Sequence, residues 1–166
     1  TAIPSWAVPT AWETEPAAAA PRTVRELYGG TLGGIESRLD HVSGLGVTTV
    51  YLTPFFPGGS NHRYDASTFD HVDPLLDGDS ALASLTRAAH TRGMRVIGDL
   101  TTNHTGNGHQ WFTASADPAA REAGYYLWNQ ARDDWEGWLG HRSLPKLDWR
   151  DPDLRARMIT AEGSTV

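Results

Sequence analysis

Apolar residues recur at spacings of three and four through Leu32, Ile35, Leu39, Val42 and Leu45, which places them on one face of a helix. Thr31 stands where an N-cap belongs and Gly46 where the helix would stop. The period then changes. Val47-Thr48-Thr49-Val50-Tyr51-Leu52 is short and rich in β-branched residues, so it predicts a buried strand, closed by Pro54 and Pro57. A polar loop follows from Gly58 to Pro74. A second helix is predicted from Asp79 or Ser80, with Ala81, Leu82, Leu85, Ala88 and Ala89 inward and a stop at Gly93. Met94 to Leu100 is the second strand.

Helix, strand, loop, helix, strand is the order of an α/β fold with a parallel sheet. The flanks differ. Residues 1–30 carry Pro4, Pro9, Pro16, Pro21 and the run Ala17–Ala20 without apolar periodicity, and read as an irregular lead-in. Residues 105–150 are rich in Trp, Gly and Asp and lack a long periodic segment. A structureless loop of that length is out of place in a compact domain, so a small excursion domain is expected there. After Asp151-Pro152 a last helix is predicted, with Leu154, Met158 and Ile159 on one side, and a further strand is expected to approach near Val166. Parallel sheets bury both faces, and their outer strands need partners. Two such strands do not close an architecture, so the chain reads as an excerpt continued at both ends. The alternative is a small self-sufficient α/β domain.

Composition narrows the partners. The 166 residues carry a net charge of −6, with acids and bases interspersed. This argues against nucleic acid and against an anionic membrane, both of which want a basic face. No apolar run approaches the roughly 20 residues that span a bilayer. Cysteine is absent, so no disulfide or thiolate–metal framework exists. Seven Trp suit either a packed core or flat platforms for the apolar faces of sugar rings. Composition does not choose between these.

Polar residues cluster after both predicted strands: Ser60-Asn61-His62-Arg63-Tyr64-Asp65 and Asp99-Leu100-Thr101-Thr102-Asn103-His104. In parallel α/β folds the loops at the C-terminal ends of strands converge on one rim, where ligands bind. His62, Asp65, Asp99 and His104 are acceptable metal ligands, but no pair at helical spacing such as H-E-x-x-H accompanies them. No Ser sits in a G-x-S-x-G elbow. Carbohydrate recognition fits best, because Asp, Asn and His satisfy hydroxyls and Tyr64 offers a stacking face. Each residue taken singly also reads as a loop residue satisfying nearby backbone.

Taken in order, these stretches resemble a known family. Gly29-Gly30-Thr31-Leu32-Gly33-Gly34-Ile35, Leu39-Asp40-His41-Val42 and Leu45-Gly46-Val47 resemble the helix leading to the second barrel strand of the α-amylase superfamily, glycoside hydrolase family 13. Tyr51-Leu52-Thr53-Pro54-Phe55-Phe56 is similar to the end of that strand. Ser60 to Asp65 is similar to the S-N-H-K-Y-D loop of the neopullulanase, cyclomaltodextrinase and maltodextrin-glucosidase branch. Asp99 to His104 resembles the D-x-x-x-N-H signature at the third strand. Leu144-Pro145-Lys146-Leu147-Asp148 resembles M-P-K-L-N, late in the excursion domain. The resemblance runs from about Tyr28 to Met158.

It implies a partial (β/α)8 barrel covering strands 2 and 3. Residues 1–30 would be the lead-in, 31–104 partial barrel, 105–150 the excursion domain and 151–166 the start of the third barrel helix. It implies that Tyr64 stacks on the sugar at the cleavage subsite, that His104 hydrogen-bonds the same sugar, and that His62 and Asp65 line the pocket. Asp99 and Asn103 would support the site. Asn103 lies near a structural calcium in many members, and Asp148 replaces the branch's usual Asn, so calcium stays open; no organic cofactor is implied. The family's nucleophile, general acid and third acid lie at strands 4, 5 and 7, beyond Val166, so no catalytic residue is assigned and the chain alone is expected to be inactive. The implied partner is an α-glucan oligosaccharide, the implied activity retaining hydrolysis of α-glucosidic bonds, and the expected compartment the cytoplasm rather than the exterior. The alternatives are a transglycosylase or isomerase of the same superfamily, and a non-catalytic sugar-binding or interaction protein.

Overall fold

The computed structural model describes residues 2–162, which form two compact units: residues up to Arg63 together with His71–Leu100, and Tyr64–Asp70 together with residues from Thr101 onward. Among the described residues no helix is long and apolar enough to cross a membrane.

In the first unit the helical stripe is borne out, but as two pieces. Helix α1 spans Leu32–Glu36 and α2 spans Leu39–Gly44. Thr31 caps α1 as its composition predicts, its Oγ1 accepting from the Gly34 N–H at 3.1 Å. The break falls at Ser37 and Arg38. Arg38 N–H bonds back only three residues, to the Ile35 carbonyl, and its φ −113, ψ 4 leaves the helical well. Two glycines in α1 lower its propensity, and the Ser37 hydroxyl bonds the Gly34 carbonyl at 2.8 Å. The apolar face survives the break, since Leu32 and Leu39 are buried and Ile35 and Val42 pack beside them. Leu45 does not join them. It is the C-cap of α2 and is 69% exposed.

Strands β3 (Thr49–Leu52) and β4 (Arg95–Gly98) pair in parallel, from Thr49 opposite Arg95 to Leu52 opposite Gly98. Helix α3 (Gly78–Thr91) connects them. It buries Leu85 and Ala89 completely against Leu52, Val72 and Met94. Gly93 ends it in the left-handed conformation at φ 70, with Met94 N–H bonded to the Ala89 carbonyl at 3.0 Å. The strands are not buried on both faces, contrary to the sequence expectation. Val50, Leu52 and Val96 meet the core, while Tyr51 and Ile97, directly opposite each other, are exposed. A two-residue parallel pairing of β1 (Val8–Pro9) with β2 (Glu26–Leu27) organises the lead-in, which the sequence read as wholly irregular. Buried Glu26 secures it, accepting from the Ala17 N–H and Arg22 Nε, both at 3.0 Å.

In the second unit an aromatic core does the packing. Trp111, Phe112, Tyr125 and Tyr126 are buried, and the Phe112 ring stacks on Trp128 at 5.4 Å. Helix α4 (Gln110–Ser115) carries two of them. Strands β5 (Gly137–Trp138) and β6 (His141–Pro145) form an antiparallel hairpin. Helix α5 (Pro152–Arg155) is capped by Asp151 Oδ1, which accepts from the Asp153 and Leu154 N–H groups, both at 2.9 Å. A π-turn over Ala156–Thr160 continues it. Leu154 and Met158 are buried as predicted, but Ile159 is 52% exposed, because the wider turn rotates it off the apolar side. Residues 163–166, where a further strand was expected to approach, lie outside the described residues.

Candidate functional site

The loop after β3 is held in place by buried polar contacts. Asn61 Nδ2 donates to the carbonyls of Thr23 at 2.7 Å and Glu26 at 3.0 Å, and its N–H bonds the Val24 carbonyl at 2.8 Å. Arg63 adopts the left-handed conformation at φ 58, and its Nε donates to Asp73 Oδ2 at 2.7 Å with both side chains 9% exposed. Its Nη1 donates to the Asn61 carbonyl at 3.0 Å. His62 stands between these two anchors, exposed, with Nδ1 3.1 Å from Ser60 Oγ. Asp99 belongs to the same first unit. It is hydrogen-bonded by Tyr51, whose phenol is raised above its ordinary value by that bond first.

Tyr64, Asp65, Asn103 and His104 are brought together in the second unit. Residues 64–70 run against 104–110, with Gly106 N–H bonded to the Ala66 carbonyl at 2.9 Å and Gln110 N–H to the Ser67 carbonyl at 3.2 Å. A side chain at Gly106 would strike the Asp65 carbonyl, so the close approach requires glycine here. On its other side the 103–107 stretch pairs with β6 and the residues after it. Thr105 N–H bonds the Pro145 carbonyl at 3.2 Å, and Leu147 N–H bonds the Asn103 carbonyl at 3.0 Å.

His104 is 6% exposed. Burial lowers its pKa from the ordinary value, opposed by the Tyr64 main chain and the Asp65 charge, so the ring is neutral at pH 7. Asn103 Nδ2 faces His104 Nδ1 at 3.2 Å. An amide nitrogen only donates, so Nδ1 accepts and the proton sits on Nε2. Nε2 is buried and has no well-formed hydrogen bond among the described residues. Tyr64 is 38% exposed.

Asp148 does not offer a free carboxylate. Arg150 Nε and Nη2 donate to it at 2.8 and 2.7 Å, and that guanidinium holds its pKa below the usual carboxylate range. Calcium takes six to eight oxygen ligands. Among the described residues no group of three or more His, Cys, Asp or Glu side chains converges.

Sequence reasoning placed Asn61 and Arg63 in the polar cluster without giving them a role, and passed over Gly106 and Trp138, whose ring centroid lies 5.5 Å from that of His104. The glycine-flanked run Gly137-Trp138-Leu139-Gly140 was the available signal for an aromatic residue held at a turn.

Residues 9–164 match the alpha amylase catalytic domain. An amylopullulanase of Thermoanaerobacter thermohydrosulfuricus is 34% identical over 139 residues, covering 74% of this chain and 9% of that protein. A cyclomaltodextrinase of a Bacillus species is 36% identical over 118 residues, covering 71% of this chain and 19% of its own length. The type III pullulan hydrolase from Thermococcus kodakarensis superposes with a TM-score of 0.80 at 29% identity, over 90% of this chain and 27% of that one. The chain thus spans a quarter or less of the curated relatives it matches, from 9% to 24% for the first three. Matched nearly end to end, with the parallel β3–α3–β4 pairing and the Asp99-to-His104 stretch in place, this chain belongs to the α-amylase catalytic-domain family.

Proposed function

We propose that this chain is the portion of a retaining glycoside hydrolase that shapes the sugar-binding side of its active site, acting on α-glucosidic bonds of maltodextrins or related α-glucans. The carrying observation is His104, a buried neutral imidazole of this family's chain, set beside Tyr64 and Asp65. In this reading Nε2–H donates to a hydroxyl of the bound glucosyl unit and the Tyr64 ring stacks on that unit. His62 and Asp65 line the pocket. Asn103 fixes the His104 tautomer, and Asp99 supports the site. The barrel around it would be completed by strands that residues 1–166 do not include.

Retaining hydrolysis requires two carboxyls roughly 5–5.5 Å apart, one as nucleophile and one as acid. The reading assigns neither role to any residue of this chain, and Asp99 is not promoted to fill one. It therefore concerns binding and orientation here, with chemistry supplied by the complete protein. Amylopullulanase, cyclomaltodextrinase and pullulan hydrolase relatives support α-glucans as the substrate class.

Tyr64→Ala in the complete protein is expected to lower kcat/KM on maltooligosaccharides tenfold or more, equivalent to about 1.4 kcal/mol of transition-state binding. An unchanged kcat/KM would remove Tyr64 from the site. Release of free reducing ends distinguishes hydrolysis from transfer, which rearranges glycosides without net release.

A further inference from the structure

The β5–β6 tip presents apolar surface without covering it. Trp138 is 41% exposed and Leu139 79% exposed. The connection is the two-residue turn Leu139–Gly140, with both residues at positive φ, 48 and 83. That turn ordinarily takes Asn-Gly or Asp-Gly; a leucine held left-handed is an outlier. The base of the hairpin is fixed. Gly137 has no room for a side chain, because a Cβ there would collide with the His141 carbonyl. Trp135 Nε1 donates to the Arg142 carbonyl at 3.0 Å, and Lys146 Nζ pairs with Glu136 at 2.5 Å. Residues held in strained backbone conformations cluster at active sites and ligand clamps.

What the tip displays adjoins the site. The Trp138 ring centroid lies 5.5 Å from that of His104 at an interplanar angle of 34°, and 6.1 Å from that of His141 at 28°. These two imidazoles set the ring's orientation while leaving much of it open. Beside it lies a cavity of about 600 Å³, lined by Trp138, Leu139, Asn103, Glu136, Arg142 and Lys146 among others. An aromatic surface bordered by an amide, an ammonium, a guanidinium and a carboxylate has the chemistry of a saccharide site, with apolar ring faces on the indole and hydroxyls on the polar wall.

We propose that Trp138 is a carbohydrate-binding residue that stacks on the glucosyl unit next to the one His104 contacts, making the β5–β6 tip an extended subsite for α-glucan oligosaccharides. This rests on the α-glucan reading above and adds the second sugar to it. The rival is that Trp138 and Leu139 serve only as a packing contact for another part of the complete protein.

The test uses the complete protein and a thio-linked maltohexaose, which resists cleavage, with affinity followed by calorimetry and by indole fluorescence. Trp138→Ala is expected to raise Kd about tenfold, equivalent to 1.4 kcal/mol. Trp138→Phe, which keeps an aromatic face and fills the same space, is expected to stay within about threefold while losing the saccharide-induced fluorescence change. A Kd unchanged in Trp138→Ala overturns the proposal. So does an affinity loss in Trp138→Ala accompanied by a lowered melting temperature, with the fluorescence change intact in Trp138→Phe, because Trp138 is then structural. No binding by the wild-type protein overturns it as well. Reducing-end release, measured separately, keeps the two readings apart: weakened binding without any hydrolysis by the wild type supports the subsite and sinks the hydrolase, and hydrolysis with unaltered binding does the reverse.

Discussion

Arg63 combines a buried ion pair with a left-handed backbone, and the two contributions can be separated by substitution. Its Nε lies 2.7 Å from Asp73 Oδ2, and each side chain is 9% exposed. Removing Asp73 leaves a buried guanidinium without its carboxylate, facing the Asn61 carbonyl at 3.0 Å. Breaking a buried pair in this way costs about 3–5 kcal/mol. Asp73→Ala also frees the Leu75 N–H, which Asp73 Oδ1 accepts at 2.9 Å, so the upper half of that range is expected. Arg63→Ala and Arg63→Gly both delete the pair and differ only in the backbone. At φ 58 alanine bears the left-handed penalty, about 1–2 kcal/mol, which glycine avoids. Arg63→Gly is therefore expected to be the more stable of the two by about 1 kcal/mol, the reverse of their order in a helix or strand. Urea denaturation of the complete protein, with hydrogen exchange at the Asn61 N–H bonded to Val24, reads the local and global effects together. Arg63→Gly proving less stable than Arg63→Ala would refute the backbone argument. A loss below 1 kcal/mol in Asp73→Ala would refute the buried-pair argument.

Two further tests address the second unit. Burial pushes the His109 pKa down from 6.5 to about 4, so between those values the unfolded chain binds more protons than the folded one. Stability from this residue is full above pH 6.5 and falls as the pH drops toward 4, by about 3 kcal/mol in all; His109→Asn, which retains a capping acceptor for the Trp111 N–H, should flatten that slope, and an unchanged slope would assign it to another group. Gly106→Ala forces a methyl group onto the Asp65 carbonyl, with an expected cost of about 1–3 kcal/mol and a raised KM for maltooligosaccharides, since Tyr64 and Asp65 move with that strand. A Gly106→Ala protein with wild-type melting temperature and KM would show that the close approach does not position the site.

Local chemistry alone made several features legible. The three-and-four spacing of Leu32, Ile35, Leu39 and Val42, the Thr31 cap, the Gly93 stop and the β-branched run at 47–52 depend on dihedral preferences and hydrogen bonds within a few residues. They were enough to order the parallel β3–α3–β4 unit. The motifs from Gly29 to Asp148 were enough to suggest the family that the match over residues 9–164 shows. What depended on distant partners was not legible. Nothing near Arg63 in the chain announces that Asp73 buries its charge, nor does anything near Asn61 announce the Thr23 and Glu26 carbonyls to which its amide donates. The break at Ser37 and Arg38, the exposed Tyr51 and Ile97, and the π-turn that turns Ile159 outward follow from which surfaces find partners, a choice that periodicity does not encode. Trp138 shows the same division: its type suggested core or platform, and only packing left it 41% exposed beside His104. Sequence determines which local conformations are cheap; burial, which requires segments far apart in the chain to meet, is settled by the tertiary fold.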